Sequence, residues 1–159
     1  MKKYLKILID ALQKKENILE VIDVCVDEQE KCITSSQFSL EDYNSIMEKK
    51  GKLIEDMNKL DDGFTTVYAR ISPALKESPV DYTTQIRELQ DKITLISDKI
   101  ALIQAKEMRI STLIDRLVKS EKIAKGTTVV SKVEAANKYK NVMNKNVVTP
   151  KSIFMDKKN

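Results

Sequence analysis

The chain predicts an all-α fold, an elongated antiparallel three-helix coiled coil with a flexible C-terminal arm. Three observations point there. Apolar residues recur at alternating steps of three and four over three long stretches, which keeps a narrow stripe facing partner helices over many turns. Charged residues make up 33% of the 159 and aromatics 5%, with no Trp, which suits long water-washed helices better than a thick core or a sheet sandwich. Breakers are scarce and clustered: three Gly and three Pro serve the whole chain. The spacing predicts a helical domain over 1–125, with helices at about 2–34, 40–71 and 79–124, and a basic, largely disordered arm over 126–159.

The first helix carries Leu5, Leu8, Leu12, Lys15, Leu19, Ile22, Val26, Gln29 and Ile33 on the three-four spacing. Beside it runs a second line at strict seven-residue steps, Tyr4, Ala11, Ile18, Cys25 and Cys32. Two adjacent lines make a wide apolar face, which suits a helix touching two neighbours. At a rise of about 1.5 Å per residue this helix is roughly 50 Å long.

Thr34 to Ser39 has no helical period and is rich in residues that cap and turn. Ser39 reads as an N-cap, and Glu41 and Asp42 place negative charge where the helix dipole favours it. The second helix then carries Tyr43, Ile46, Lys50, Leu53, Met57, Leu60, Phe64, Val67 and Ile71. Gly51 and Gly63 interrupt it at about 1 kcal/mol each relative to Ala.

Ser72-Pro73 to Ser78-Pro79 is the clearest breaker, since each Pro drives the residue before it away from helical angles. Ser78 as cap with Pro79 at the first helical position starts the third helix, the longest at about 65 Å. Its seam is Ile86, Leu89, Ile93, Ile96, Ile100, Ile103, Glu107, Ile110, Ile114 and Leu117. A stripe this long and apolar must bury against other helices. The pattern does not say whether they all belong to one chain, so a homodimer stays open. Glu107 is the one polar seam residue, and it would fix register against Lys50 or Lys15, the breaks in the other two seams. Leu95 and Leu102 form a line off the seam, joined by Ala101, Met108 and Leu113. They either cover a neighbouring helix or leave an exposed groove for a partner's amphipathic helix.

The net charge of +4 divides unevenly. Residues 1–118 carry 18 Lys and Arg against 21 acids, whereas 119–159 carry ten Lys against Glu121, Glu134 and Asp156. The arm has no Arg and two well-spaced aromatics, a poor match to nucleic-acid binding. No run reaches the ~18–20 uninterrupted apolar residues of a membrane span, and the opening Met1-Lys2-Lys3-Tyr4-Leu5-Lys6 does not read as a signal peptide. A cytoplasmic location without stable membrane insertion is expected.

Chemistry is not expected. The chain has no His, which removes the usual neutral-pH base and the commonest metal ligand. Cys25 and Cys32 lie seven apart on one helix, about 10 Å by the helical rise and beyond the ~7 Å reach of a disulfide. Neither a Gly-rich phosphate loop nor a nucleophile motif is present. Asp61-Asp62 and the Asp27, Glu28, Glu30 group read as solvated faces, because consecutive helical residues point different ways. No enzyme, metal or cofactor is expected.

A set of stretches stands out in order: Tyr4-Leu5-Lys6-Ile7-Leu8 with Leu19-Glu20, then Glu48-Lys49-Lys50-Gly51-Lys52-Leu53-Ile54 leading to Leu60-Asp61-Asp62-Gly63-Phe64, the long third helix, and the ending Ser152-Ile153-Phe154-Met155-Asp156-Lys157-Lys158. Together they resemble the flagellar export chaperones of the FlgN-like family in its clostridial form. The resemblance covers roughly residues 1–120. It implies a small cytoplasmic protein that binds hook-associated (hook-filament junction) proteins through their C-terminal helices. Such a protein prevents early assembly and delivers them to the flagellar type III export gate. In that family the C-terminal half does most of the binding, which here points to Leu95, Leu102, Met108 and Leu113 on the third helix. In the arm it points to Tyr139, Val142, Met143, Ile153 and Phe154, with Tyr139 the late tyrosine for the export gate. The competing reading is a structural or scaffolding coiled coil that self-associates through the isoleucine seam.

Overall fold

The computed structural model describes residues 1–121, and every described element is helical: α1 (Lys2–Thr34), α2 (Leu40–Glu77), a 3-10 turn (Pro79–Tyr82) and α3 (Thr83–Glu121). The chain is an all-α bundle in which α1 packs against both α2 and α3. The arm over 126–159, and the expected run of the third helix to Ala124, lie outside the described residues.

The described chain divides into two compact units. The first gathers residues 1–20 and 56–101, the second 21–55 and 102–121. In the first, Lys92 Nζ donates to Gln13 Oε1 (2.7 Å) and Lys99 Nζ to Glu20 Oε1 (3.2 Å). Both ends rise together by seven residues, so α1 and α3 run parallel there. In the second, Lys106 bridges Asp23 (2.7 Å) and Asp27 (2.9 Å), and Arg109 forks onto Glu30 (3.0 and 2.7 Å), again in parallel sense. There α2 opposes α1 in direction: Gln29 meets Met47 and Cys32 meets Ser39, so one number climbs as the other falls.

Local signals place the first turn well. Asp42 N–H donates to Ser39 Oγ at 3.3 Å, the N-cap bond expected of Ser39, and Tyr43 N–H donates to the Ser39 carbonyl at 3.1 Å. The second break differs from expectation. α2 does not stop at Ile71 but continues through Pro73 to Glu77. Proline inside a helix costs about 3 kcal/mol. Beyond Ile71, however, Ser72 and Leu75 are buried. Burying a Leu side chain contributes about 1.5–3 kcal/mol, and the ring removes a single hydrogen bond, the one that would reach the Ala69 carbonyl. The connection thereby shrinks to Ser78 and the 3-10 turn. Pro79 opens that turn rather than α3 itself, and Ser78 makes no side-chain cap bond.

Burial follows the α1 stripe without exception: all nine of its positions, Lys15 and Gln29 included, are buried. On α3, Leu89, Ile93, Ile96, Ile100, Ile103, Glu107, Ile110 and Ile114 are buried, while Ile86 and Leu117 are half-buried. The α2 stripe needs correction. Tyr43, Lys50, Met57, Phe64 and Ile71 are in the core, but Ile46, Leu53, Leu60 and Val67 are only half-buried. The core positions between are Met47, Ile54, Tyr68 and Leu75, one residue further along. Ile46, Leu53, Leu60 and Val67 form a flanking row instead.

Candidate functional site

A binding helix must first settle its own seam, and the described seams do so with three polar layers. In the first unit Lys15, buried to the base of its head, reaches both carboxylate oxygens of Asp61 at 2.7 and 2.9 Å, with Asp61 half in water. Asp61 stands at the α2 core position between Ile54 and Tyr68. In the second unit the Lys50 ammonium meets Glu107 Oε1 at 2.5 Å, with side chains 0% and 2% exposed. This is the Lys50 alternative for Glu107; Lys15 takes the other partner. The third layer is Gln29, fully buried, whose Nε2 donates to Met47 Sδ at 2.8 Å.

Four groups of the second unit have raised pKa values, Arg109 among them through its hydrogen bonds to Glu30. Burial pushes the Tyr43 phenol well above its ordinary value, with a hydrogen bond to Gln29 partly offsetting it. Burial likewise pushes the Cys25 thiol up, against the pull of Lys49 and Lys50. The hydrogen bonds that Lys106 donates to the Asp23 and Asp27 carboxylates raise its pKa. Cys25 and Cys32 are both free thiols, Cys25 buried and Cys32 half-buried. Among the described residues no group of three or more Cys, Asp or Glu could hold a metal ion, and no helix is long and apolar enough to cross a membrane.

The residues expected to bind a partner divide by exposure. Leu95, in the first unit, is 44% exposed. In the second, Leu102 and Met108 are 66% and 72% exposed and Leu113 is half-buried. Leu102 and Met108 are therefore left in water by the packing rather than covering a neighbour. Tyr139, Val142, Met143, Ile153 and Phe154 lie outside the described residues.

Two features escaped the sequence reading. The polar rungs joining α1 to α3 are one, and their signal is visible in retrospect: Lys92, Lys99 and Lys106 stand seven apart, as do Gln13, Glu20 and Asp27. The other is a surface groove in the first unit, about 430 Å³, between α1 and α2. Half-buried Ile18 and Leu60 form its apolar floor, with Lys14, Asn17, Asp56 and Lys59 around them. Its signal was the second apolar line of α1, which contains Ile18.

Fold and surface together define a helical bundle with unspent apolar side chains on its outer faces. Comparison with protein-family models, characterised proteins and solved structures finds no match to this chain.

Proposed function

We propose that this chain is a cytoplasmic chaperone of flagellar type III export. It binds the C-terminal helices of hook-associated proteins, holds them from early assembly and delivers them to the export gate; it is not an enzyme. The observation that carries this reading is the pair Leu102 and Met108 on α3 of the second unit, which the described packing leaves 66% and 72% exposed. They lie six apart, about 120° from each other around the helix, so they are two separate apolar anchors on its outer side rather than one stripe. A partner's amphipathic helix that covers either one would remove a large apolar side chain from water. The likeness of the Tyr4–Leu8, Glu48–Ile54 and Leu60–Phe64 stretches to the FlgN-like family supports the choice of partner.

Calorimetry with the C-terminal segment of a hook-associated protein tests it directly. Binding at or below on the order of tens of micromolar is expected, and Leu102→Glu with Met108→Glu abolishes it while leaving helix content intact. No heat at that concentration overturns the proposal. Self-association is separated by light scattering. In this chain the seam from Leu89 to Ile114 is already buried, so a scaffold would have to assemble through some other surface.

A further inference from the structure

The structure points to a second docking surface, and we propose that the α1–α2 groove of the first unit takes an amphipathic helix from another protein that carries carboxylates on both flanks. This surface is separate from the α3 face and stands whether or not the export reading holds.

Three lysines of this unit cross between helices. Lys15 reaches Asp61, Lys92 reaches Gln13 and Lys99 reaches Glu20, each crossing from its own helix to a neighbour. Lys14 and Lys59, on the two walls of the groove, make no ion pair among the described residues. Both are exposed. Both line the groove beside Ile18 and Leu60, and a long cation beside apolar surface lays its aliphatic stem along it and keeps its charge in water. Asp56 is the single acid of the rim and sits on the α2 wall with Lys59.

An apolar floor with one cation on each wall asks for an occupant that is apolar below and anionic on both sides. A helix, about 10 Å across with side chains, meets both walls at once. Its carboxylates would face Lys14 and Lys59, with an amide or cation over Asp56. A one-headed anionic amphiphile could answer only one wall. Beyond the groove, one heptad along, both helices carry small residues: Ala11 lies seven positions before Ile18 on α1, and Gly63 lies seven after Asp56 on α2. Nothing stands within 4 Å of where a Gly63 Cβ would be, so an approaching backbone meets open space there.

The test uses the full chain and a fluorescein-labelled synthetic helix of about 18 residues, five turns, with Leu on one face and Glu on both flanks. A twin peptide with Lys in place of Glu is the control, and anisotropy is the readout. The Glu peptide is expected to bind at least about tenfold more tightly than the Lys twin, and the margin should shrink in high salt. Lys14→Glu with Lys59→Glu should reverse the preference, and Gly63→Leu, which adds bulk at an exposed site one heptad beyond Asp56 where the bound helix would pass, should weaken the Glu peptide about tenfold or more. Equal binding of the two peptides, no binding of either, or indifference to these variants overturns the proposal. Leu102→Glu with Met108→Glu should leave this binding unchanged; its loss there would assign the peptide to α3 and refute the groove.

Discussion

The two units handle a charged residue in the seam in opposite ways. In the first, Lys15 lies under the surface but its partner Asp61 is 43% exposed, so the pair keeps part of its hydration. In the second, Lys50 and Glu107 are sealed, 0% and 2% exposed. Taking two charges fully out of water costs several kcal/mol per ion, and their mutual attraction repays it only while both are present. A half-solvated pair risks little and gains little. The contrast extends to the surroundings: Gln29, Tyr43 and Cys25 are fully buried in the second unit, whereas the first buries mainly Leu, Ile and aromatic side chains. The second unit thus seals polar groups among its apolar side chains, and the first leaves its charged pair at the edge of water.

The sharpest way to break this comparison is Glu107→Ala. It strands Lys50 in the core and should cost about 3–5 kcal/mol in a urea titration followed by circular dichroism. Lys50→Met combined with Glu107→Leu should return stability to the starting value or above it, because an apolar pair of similar size avoids the desolvation. A loss below about 1 kcal/mol in the single variant would mean that water reaches the pair, and the distinction between the units would fall.

Alkaline pH gives the next contrast. Tyr43, Cys25 and Lys106 all have raised values, and all belong to the second unit. A group whose folded pKa is raised holds its proton longer folded than unfolded. Its contribution is whole below the unfolded value, about 8.5 for Cys and 10 for Tyr and Lys, and is lost as pH climbs toward the folded one. Stability should therefore fall progressively above about pH 8.5 and more steeply above about pH 10. Tyr43→Phe removes the phenol and should flatten the steeper fall, read as the urea midpoint at pH 9 against pH 11. An unchanged slope would remove Tyr43 as the cause.

A smaller effect is expected from the first unit's pair. Asp61→Asn keeps shape and a hydrogen-bond acceptor, so it should cost about 1 kcal/mol, well under the Glu107 value. Equal costs at the two sites would erase the contrast of burial.

How far the chain could be read depended on whether an apolar row had a rival. On α1 the stripe from Leu5 to Ile33 was legible in full, Lys15 and Gln29 included, because its neighbouring line was sparser. On α2 two rows compete at seven-residue steps: Ile46, Leu53, Leu60 and Val67 against Met47, Ile54, Asp61 and Tyr68. The second is the core row, yet Asp61 makes it look the poorer one. Only the buried Lys15 beneath it explains the acid, and that is a fact about another helix. That Glu107 needs a lysine was legible because each interrupts a seam, but the choice of Lys50 over Lys15 rested on the register between helices. Pro73 was misread for the opposite reason: local backbone preference ends the helix there, and the burial of Leu75 carries it on. The exposure of Leu102 and Met108 did not follow from their place off the seam, which equally allowed them to cover a neighbouring helix. Nor did the Ile18–Leu60 groove, because it needed the register between α1 and α2.

The smallest effects come from the glycines of α2, and they supply an internal calibration. Gly51 lies in the second unit and Gly63 in the first, both inside one helix and both with nothing within 4 Å of an added Cβ. Neither has a positive φ, so alanine fits the backbone at each. Replacing either by Ala should stabilise by roughly 0.5–1 kcal/mol, mainly by narrowing the unfolded chain's freedom. Because the gain is local backbone entropy, it should be alike at the two sites even though their surrounding cores differ. A two-state denaturation reports such a gain equally wherever it arises. A gain at Gly63 with none at Gly51 would therefore mean that the second unit opens before the first, its polar layers loosening ahead of the apolar core. Hydrogen exchange on the two variants would then show the same order, with slowed opening confined to residues 56–75 in Gly63→Ala.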